Sequence, residues 1–379
     1  MRIAIDCADL DHTRIDGTRV YIKNILNWLG KIDRESQFFL YHQKDFNPML
    51  APKMYDNYVE RKIPYPFWWT QTRLPYEIMR DKPAILWMPI QQLPYLLKGK
   101  VKSVITIHDL AFKIFPDHFT FSDRFKLNLF SDYAVKNADK IIAVSESTKK
   151  DILKFYPKID EKKVKVIHHG IERGGNEKDI HLPNLPGNLG KPRTAMVLGR
   201  LTNFLLYVGA IQPRKNLIVL VEAFEKIKRK NKFEDLKLVI VGEPAWMAEK
   251  ILARMKESVF SKDIILTGKL GFEETKRLYE KAKIFVFPSL YEGFGIPVLE
   301  AWSAGTAVIV ANNSSLEEIG KNAVEKFDEK SSDELVEKID LLLSDENYRM
   351  ELAERGQREL ENYSWEKSAR ETLEFLKTS

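Results

Sequence analysis

The run from residue 284 to residue 300 reads Ile284-Phe285-Val286-Phe287-Pro288-Ser289-Leu290-Tyr291-Glu292-Gly293-Phe294-Gly295-Ile296-Pro297-Val298-Leu299-Glu300. Its first four residues are apolar and predict a buried strand that ends at Phe287. Two glycines then let the backbone approach a ligand closely, and Pro297 suits the first turn of a helix. A buried strand, a glycine loop and a helix in succession indicate an α/β fold with a parallel sheet.

The start of this helix predicts an anion site, because its free backbone amides and the helix dipole both favour negative charge. Glu292 lies in the loop before the helix, and Glu300 lies about one turn into it. A carboxylate beside an anion is costly, so we expect both acids to accept hydrogen bonds from sugar or ribose hydroxyls. Two acids at this spacing mean little alone, and a plain loop with surface acids is the alternative.

The same alternation of short β-branched runs and amphipathic segments continues along the chain and predicts parallel sheets with helices on both faces. In the first half, we predict strands at residues 2–7, 37–41, 84–88, 103–107, 140–144 and 165–167, and helices at 21–32, 69–79, 121–138 and 147–155. In the second half, we predict strands at 204–208, 237–241, 264–266, 284–287 and 307–310, and helices at 217–230, 273–281 and 297–303.

The length of 379 residues favours two domains at about 150 residues each. Residues 173–200 are crowded with glycine, proline and polar side chains, and this composition predicts a linker. We therefore predict two Rossmann-like, doubly wound parallel-sheet domains, at residues 1–190 and 191–361, that face each other across a cleft. In the remaining segment, residues 362–379, Ser364 is placed to cap a final helix that docks on the protein.

The composition excludes several classes of protein. A hydrophobic fraction of 44% and a charged fraction of 30% are those of a globular chain, and no apolar run approaches the length that spans a bilayer. Asp6 interrupts any apolar segment of a signal peptide, so we expect a cytoplasmic protein. The single cysteine, Cys7, excludes an internal disulfide, and the net charge of +6 permits anionic partners without choosing among them.

A second motif, Tyr207-Val208-Gly209-Ala210-Ile211-Gln212-Pro213-Arg214-Lys215-Asn216, runs from a strand into a helix. Arg214 and Lys215 are adjacent cations near the carboxyl end of that strand. They can neutralise a diphosphate and stabilise the charge that builds on it as a leaving group. A solvated basic pair on the surface is the alternative.

These residues resemble glycosyltransferase family 4, the retaining nucleotide-sugar transferases of GT-B architecture. The resemblance is carried by the E-x7-E signature from Glu292 to Glu300 with its neighbours, and by Gly305-Thr306-Ala307-Val308. It covers nearly the whole chain and is strongest from residue 204 to residue 319. Residues 45–100 match least, and we expect that aromatic-rich region to contact the acceptor, with core packing as the alternative.

The resemblance implies roles for residues of the C-terminal domain, which would bind the nucleotide sugar. Glu292 would contact the sugar hydroxyls together with the amides of Gly293, Phe294 and Gly295, and Glu300 would hold the ribose. Lys269 and Leu270 would flank the nucleotide base through the backbone. Gly209 would lie beside the phosphates with Arg214 and Lys215, although Ala210 stands where many members carry arginine.

The N-terminal domain would lie on the acceptor side and would contribute two further positions. By resemblance, His108 would lie against the donor sugar and stabilise positive charge at the anomeric carbon. Gly17 matches the first glycine of a loop that approaches the donor, but Arg19 replaces a frequent second glycine and either adds a cation or narrows the cleft. The final helix at residues 362–379 would pack back on this domain.

We therefore expect a retaining hexosyltransferase of glycan or polysaccharide biosynthesis that uses a nucleotide diphosphate sugar and needs no metal or other cofactor. GDP-mannose is the favoured donor, with UDP- and ADP-sugars as alternatives, and the acceptor is a glycan or a lipid-linked glycan. A nucleotide-sugar epimerase and a basic protein that binds nucleic acid or an anionic surface are the competing functions. Lysines between residues 149 and 165 predict peripheral contact with the inner face of the cell membrane, with scattered solvated lysines as the alternative.

Overall fold

The computed structural model describes residues 1–65, 67–172, 201–230 and 232–378. These residues divide into two compact units. The first unit holds residues 1–116, 120–172 and the C-terminal segment from Tyr363, and the second holds Asp117–Phe119 and the chain from residue 201 to Asn362. The predicted linker and the predicted boundary between residues 190 and 191 lie outside the described residues, so the domain limits stay a prediction.

The first unit is built on a parallel sheet. Its seven described strands are β1 (Arg2–Asp6), β2 (Gln37–His42), β3 (Tyr58–Lys62), β4 (Ile85–Met88), β5 (Lys102–Ile107), β6 (Lys140–Ala143) and β7 (Val164–Val166), in the spatial order β3-β2-β1-β4-β5-β6-β7. Most of their side chains are buried on both faces, as a doubly wound sheet requires. The strand order reverses between β1 and β4, where ligands of such sheets bind beyond the carboxyl ends.

Helices cover this sheet, and the last of them comes from the end of the chain. They are α1 (Gly17–Ile32), α2 (Arg73–Asp81), α3 (Ala111–Ile114), α4 (Phe121–Asn137), α5 (Glu146–Phe155) and α13 (Trp365–Lys377). The Ser364 hydroxyl accepts a hydrogen bond from the Lys367 amide at 3.1 Å and caps α13, as predicted. Helix α13 packs against α1, so the chain returns to its first unit after completing its second.

The second unit repeats the architecture with six described strands. They are β8 (Phe204–Val208), β9 (Lys237–Val241), β10 (Ile264–Gly268), β11 (Ile284–Phe287), β12 (Ala307–Ala311) and β13 (Glu325–Phe327), all parallel and in the order β10-β9-β8-β11-β12-β13. Its helices are α6 (Leu217–Lys228), α7 (Glu249–Glu257), α8 (Phe272–Lys281), α9 (Ile296–Ser303), α10 (Ser314–Gly320), α11 (Ser332–Ser344) and α12 (Glu346–Glu359). The predicted class, two Rossmann-like parallel-sheet domains, is confirmed.

Several elements of the first unit differ from the sequence-based prediction: α3 was not predicted, and α1 starts at Gly17 rather than at residue 21. Strand β3 is missing from the prediction, because Tyr58–Lys62 is an edge strand that alternates with charged residues. The helix predicted from residue 69 starts only at Arg73, because Trp68 adopts a positive φ of 46° and its carbonyl closes a turn with the Thr72 amide. None of the helices in the described ranges combines the length and apolar character needed to cross a bilayer.

Candidate functional site

Two loops of the second unit meet at the point where its strand order reverses. One follows β8 and carries Arg214 and Lys215, and the other follows the neighbouring strand β11 and carries Glu292. The loops are joined through their backbones, since the Leu290 amide donates to the Arg214 carbonyl at 2.9 Å. Arg214 Nη1 donates in return to the Tyr291 carbonyl at 2.5 Å. The geometry therefore brings together three residues predicted from separate motifs.

The three side chains form a buried ion cluster, which we call the Glu292 cluster (Arg214, Lys215, Glu292). Lys215 Nζ lies 2.5 Å from Glu292 Oε1, and Arg214 Nη1 lies 3.2 Å from Glu292 Oε2. Lys215 also lies 5.1 Å from the centre of the Phe287 ring, a cation–π contact that fixes its direction. With two cations and one carboxylate, the cluster keeps a net positive charge that suits an anionic ligand.

The cluster holds Glu292 in its charged form. Burial by itself would raise the pKa of Glu292, but Lys215 and Arg214 outweigh burial and lower that pKa below its usual value. The neighbouring Tyr207 hydroxyl has its pKa raised by burial and by the charge of Glu292. A charged, acceptor-only carboxylate is the form that receives hydrogen bonds from hydroxyl groups.

The glycine loop around Glu292 is held by polar residues at the start of α10, the helix that follows β12. The Ser315 hydroxyl donates to the carbonyls of Glu292 and Phe294, at 2.9 Å and 2.6 Å. The Glu292 amide donates to Ser314 Oγ at 3.0 Å. Gly295 precedes α9 with a φ of 118°, a conformation that side chains with a Cβ rarely adopt. Gly293, Phe294 and Gly295 are thus fixed in a buried loop that ends at a helix start.

Glu300 lies on α9 and has a different hydrogen-bond partner from the residues of the Glu292 cluster. Its Oε2 accepts a hydrogen bond from the Tyr279 hydroxyl at 3.0 Å. Burial raises the pKa of Glu300, and the Tyr279 hydrogen bond offsets only part of that rise. The two acids of the motif therefore differ, since pairing favours the charge on Glu292 and burial disfavours it on Glu300.

Three other predicted donor residues, Gly209, Lys269 and Leu270, lie in loops after β8 and β10 of the same sheet. Gly209 directly follows β8 and packs against the backbone at Gly242. A Cβ added to Gly242 would lie 1.9 Å from the Gly209 carbonyl oxygen, so the close approach of the two backbones requires glycine at position 242. Lys269 and Leu270 follow β10 at the edge of the sheet, two strands away from β8. Lys269 is exposed and Leu270 is half-buried.

His108 of the first unit directly follows β5 and is oriented by a backbone contact. Its Nε2 lies 2.9 Å from the Pro89 carbonyl oxygen, and because a carbonyl only accepts, Nε2 carries the proton. Burial is the largest effect on the imidazole and lowers the pKa of His108. The ring is therefore neutral at pH 7, with Nδ1 as its unprotonated nitrogen.

Aromatic rings that the sequence analysis did not identify pack against His108. Tyr21 meets the His108 ring edge-on, with ring centres 5.0 Å apart. His169 stacks on Tyr21 at 4.8 Å, and Trp365 of α13 lies 5.8 Å from His169. Gly170 allows this packing, because a Cβ there would lie 2.1 Å from the Trp365 amide nitrogen. These ring contacts join residues that are far apart in the sequence, so no local sequence pattern indicates them.

Gly17 begins α1, next to a group of acids. The Asp16 side chain caps the helix by accepting from the Arg19 amide at 3.2 Å. The Arg19 guanidinium is bound by Asp16 and by the Asp9 carbonyl at 3.0 Å, so its charge is compensated in this loop. Asp6, at the end of β1, is buried, and burial raises its pKa to about 7.

Polar residues after β12 were also missed, although a signal was present. Asn313, Ser314 and Ser315 follow a buried strand at its carboxyl end, the same position that identified the other site residues. Among the described residues, no group of three or more histidine, cysteine or acidic side chains is arranged to hold a metal ion.

Comparison with known proteins gives matches over both halves of the chain. Residues 199–359 match the family model "Glycosyl transferases group 1", and residues 15–173 match "Glycosyltransferase Family 4". Together the two models cover most of the sequence, and the predicted family resemblance is confirmed.

Similar curated proteins include two enzymes of bacterial surface glycans. The chain is 30% identical over 174 residues to O-antigen chain mannosyltransferase B of Escherichia coli, covering 46% of this chain and 45% of that protein. It is 30% identical over 242 residues to O-antigen chain mannosyltransferase RfbU of Salmonella typhimurium, covering 63% and 61%. The chain thus spans about half to three fifths of the length of these relatives.

Solved structures share the fold. A structure of Anabaena HepE in complex with UDP-glucose has a TM-score of 0.73 at 14% identity, covering 100% of both chains. The lipopolysaccharide glycosyltransferase WaaG has a TM-score of 0.72 at 14% identity, again with 100% of both chains covered. At this identity the likeness concerns the fold alone.

Proposed function

We propose that this chain, whose two halves match glycosyltransferase family models, transfers a hexose from a nucleotide diphosphate sugar to a glycan or lipid-linked acceptor hydroxyl, with retention of configuration. Mannose from GDP-mannose is the preferred donor, with UDP- and ADP-sugars as alternatives. The two relatives named as O-antigen chain mannosyltransferases support mannose and a role in polysaccharide synthesis. A cytoplasmic location with peripheral contact at the membrane is part of this proposal.

The observation that carries the proposal is the Glu292 cluster. Arg214 and Lys215 are held within 3.2 Å of one carboxylate at the point where the second sheet reverses its strand order. Such points bind phosphate-bearing ligands in open α/β sheets. A charged carboxylate between two cations can orient the cations toward a diphosphate. It can also accept hydrogen bonds from the hydroxyl groups of the attached sugar.

In the proposed reaction, the bond between the anomeric carbon and the diphosphate oxygen breaks, and the acceptor oxygen bonds to that carbon on the same face. The acceptor proton passes to the departing phosphate oxygen. Arg214, Lys215 and the amides from Gly293 to Gly295 stabilise the leaving charge, and Glu292 binds the sugar hydroxyls. Neutral His108 stabilises the positive charge that develops at the anomeric carbon. Because the cations supply this stabilisation, we propose that no metal ion is required.

Gly17, Gly209, Lys269, Leu270 and Glu300 complete the proposed donor contacts. Glu300 would hold the ribose, and the backbone at Lys269 and Leu270 would flank the base. Gly17 and Gly209 would approach the phosphates and the sugar.

Thermal unfolding with donors tests the assignment. GDP-mannose at 100 times its dissociation constant stabilises the folded state by about 2.7 kcal/mol and raises the Tm. UDP-glucose and ADP-glucose are measured in parallel to identify the nucleotide. The Lys215→Met variant should lose this shift, whereas Lys276→Met, an exposed lysine on α8, should keep it. A shift by none of the three donors, or an unchanged shift in Lys215→Met, contradicts the donor site.

Turnover tests the reaction itself. With octyl mannoside as a probe acceptor, NMR of the product should show the anomeric configuration of the donor. Activity should survive excess chelator. An inverted product, or activity lost in chelator and restored by Mg²⁺ or Mn²⁺, would contradict retention or metal independence respectively.

A further inference from the structure

The first unit carries large apolar side chains in solvent at the tip of the loop before α2. Phe67 is 70% exposed and Trp68 is 75% exposed, whereas the adjacent Trp69 is buried and donates from Nε1 to the Ile63 carbonyl at 3.1 Å. The Trp68 carbonyl accepts from the Thr72 amide and from Thr72 Oγ1, both at 3.0 Å. The tip is therefore a hydrogen-bonded turn that is anchored by Trp69 and exposes the rings of Phe67 and Trp68 to solvent.

A hydrogen bond within this unit links the tip to a wider apolar area. Gln71 Oε1 accepts from the Tyr95 amide at 2.9 Å, which places exposed Tyr95 and Leu96 beside the tip. The Tyr95 ring lies 4.1 Å from the ring of Tyr133 on α4. The tip, residues 95–96 and the exposed side of α4 thus form one continuous region, here called the aromatic surface.

On α4, the aromatic surface extends as a stripe at helical spacing. Phe121, Phe125 and Leu129 are four residues apart, in line with Tyr133, and the first of them is 76% exposed. From Phe121 to Tyr133 the helix rises about 18 Å. The residues that α4 buries are Ser131, Ala134 and Val135, near its end, so the stripe contributes little to the core of this unit.

Basic residues adjoin one part of the aromatic surface, at residues 95–100. The sequence has no acidic residue between Asp81 and Asp109, and this stretch carries exposed Lys98 and Lys100 next to Tyr95 and Leu96. Helix α4 carries charges of both signs. The lysine-rich segment from 149 to 165 also has acids interleaved with it, and Lys149 pairs with Glu161 at 2.8 Å. Basic charge beside exposed apolar side chains is therefore found at residues 95–100.

We propose that the aromatic surface docks the first unit on an anionic lipid membrane, with Phe67, Trp68 and the α4 stripe in the interface and Lys98 and Lys100 at the headgroups. Tryptophan and tyrosine favour the boundary between headgroups and acyl chains, and nearby lysines add attraction to anionic lipid. The inference rests on the proposed function in one respect, since a lipid-linked acceptor would be presented at such a membrane.

Vesicle flotation of the full chain, without donor or acceptor, tests the docking surface. Vesicles of phosphatidylcholine with phosphatidylglycerol should bind the protein, and vesicles of phosphatidylcholine alone should bind it at least about tenfold more weakly. The double variant Phe67→Ser, Trp68→Asn should lose at least about tenfold of the binding to anionic vesicles. Asparagine tolerates the positive φ of residue 68, so the turn is preserved.

Two matched variants separate the surface from general effects. Val259→Ser and Phe272→Ser remove exposed apolar side chains from the second unit and should leave vesicle binding unchanged. Lys98→Glu with Lys100→Glu should weaken binding to anionic vesicles by at least about tenfold. Each variant's circular dichroism and donor-induced Tm shift should match those of the original chain, which reports the donor site independently of docking.

Two outcomes would overturn the proposal. The original chain could fail to float with anionic vesicles, or the Phe67 and Trp68 variant could float as well as the original. If the variant floats normally and also loses binding of a soluble mannose oligosaccharide, the aromatic surface is a glycan site instead. Failure of the donor-induced Tm shift with normal flotation would contradict the proposed function and leave docking supported.

Discussion

The Glu292 cluster of the second unit and three buried groups of the first unit differ in the form that their surroundings favour. Lys215 and Arg214 keep Glu292 charged in spite of its burial. In the three groups of the first unit, burial favours the neutral form, because it raises the pKa of Asp6 to about 7 and lowers the pKa of His108 and of His169. The cluster thus offers compensated charge, and the three groups offer neutral polar atoms. Under the proposed function, the cluster would bind the diphosphate and His108 would lie against the donor sugar.

Breaking the Glu292 cluster should give the largest effect. Lys215→Met removes the nearer of the two cations from the buried Glu292 carboxylate and should lower the free energy of unfolding by about 3 kcal/mol at pH 7, measured by urea denaturation. Because the pKa of Glu292 is lowered in the folded state, its stabilising pairing is present at neutral pH and is lost as the pH falls through that pKa.

A double variant sharpens this result. Adding Glu292→Gln to Lys215→Met should cost at least about 1 kcal/mol less than the sum of the two single losses, because the two side chains pair directly. Strictly additive losses from the two substitutions would mean that the two side chains do not interact in solution.

In the first unit, Asp6 should respond to pH with the opposite sign. Its folded pKa is raised, so its contribution to stability is present in acid and is lost as the pH rises through about 7. Asp6→Asn should therefore be more stable than the original chain at pH 8 by roughly 2 kcal/mol, with the gain vanishing near pH 4. Urea midpoints across this range measure it, and a gain independent of pH would show that ionisation is not the cause.

The glycine loop of the second unit offers a test of intermediate size. Gly295→Ala should cost about 2 kcal/mol, because its φ of 118° is unfavourable for alanine and the added Cβ would lie 3.0 Å from Leu316 Cδ2. Thermal unfolding measures the loss, with Gly268→Ala as a control in which only the positive φ is tested, since its Cβ has open space. Equal losses in the two variants would remove packing against Leu316 as a factor.

Helix caps should give the smallest effect and the same effect in both units. Ser364 caps α13 in the first unit, and Ser331 caps α11 in the second by accepting from the Glu334 amide at 3.1 Å. Each serine replaced by alanine should cost about 1 kcal/mol in urea denaturation. A clearly larger loss for Ser364 would show that it also secures α13 against the first unit.

The sequence predicted the elements well where burial alone determines them. Strands β8, β9 and β11 begin and end at the predicted residues, because each is a continuous apolar run. Strand β3 was missed because an edge strand needs fewer apolar residues, and its lysine and arginine resemble a loop. A local pattern identifies a strand by its buried apolar residues, so it does not identify strands that are partly exposed.

The sequence named candidate site residues one by one, but it did not indicate how they pair. Arg214 and Glu292 are 78 residues apart, and no local pattern indicates that one would bind the other. The support of His108 by His169 and Trp365 depends on the return of α13 to the first unit, which also joins distant parts of the chain. Sequence motifs located the candidate residues, whereas their protonation states followed from neighbours that only the fold supplies.

The return of α13 has a consequence for how the protein is made. During translation, the ribosome releases the strands and most helices of the first unit early, but Trp365 and the rest of α13 emerge only after every residue of the second unit. Until then, the α1 surface that α13 covers is open, and a nascent chain stalled before residue 363 exposes it. Packing of α13 on α1 therefore follows synthesis of the second unit, and we expect residues 1–172 expressed alone to aggregate.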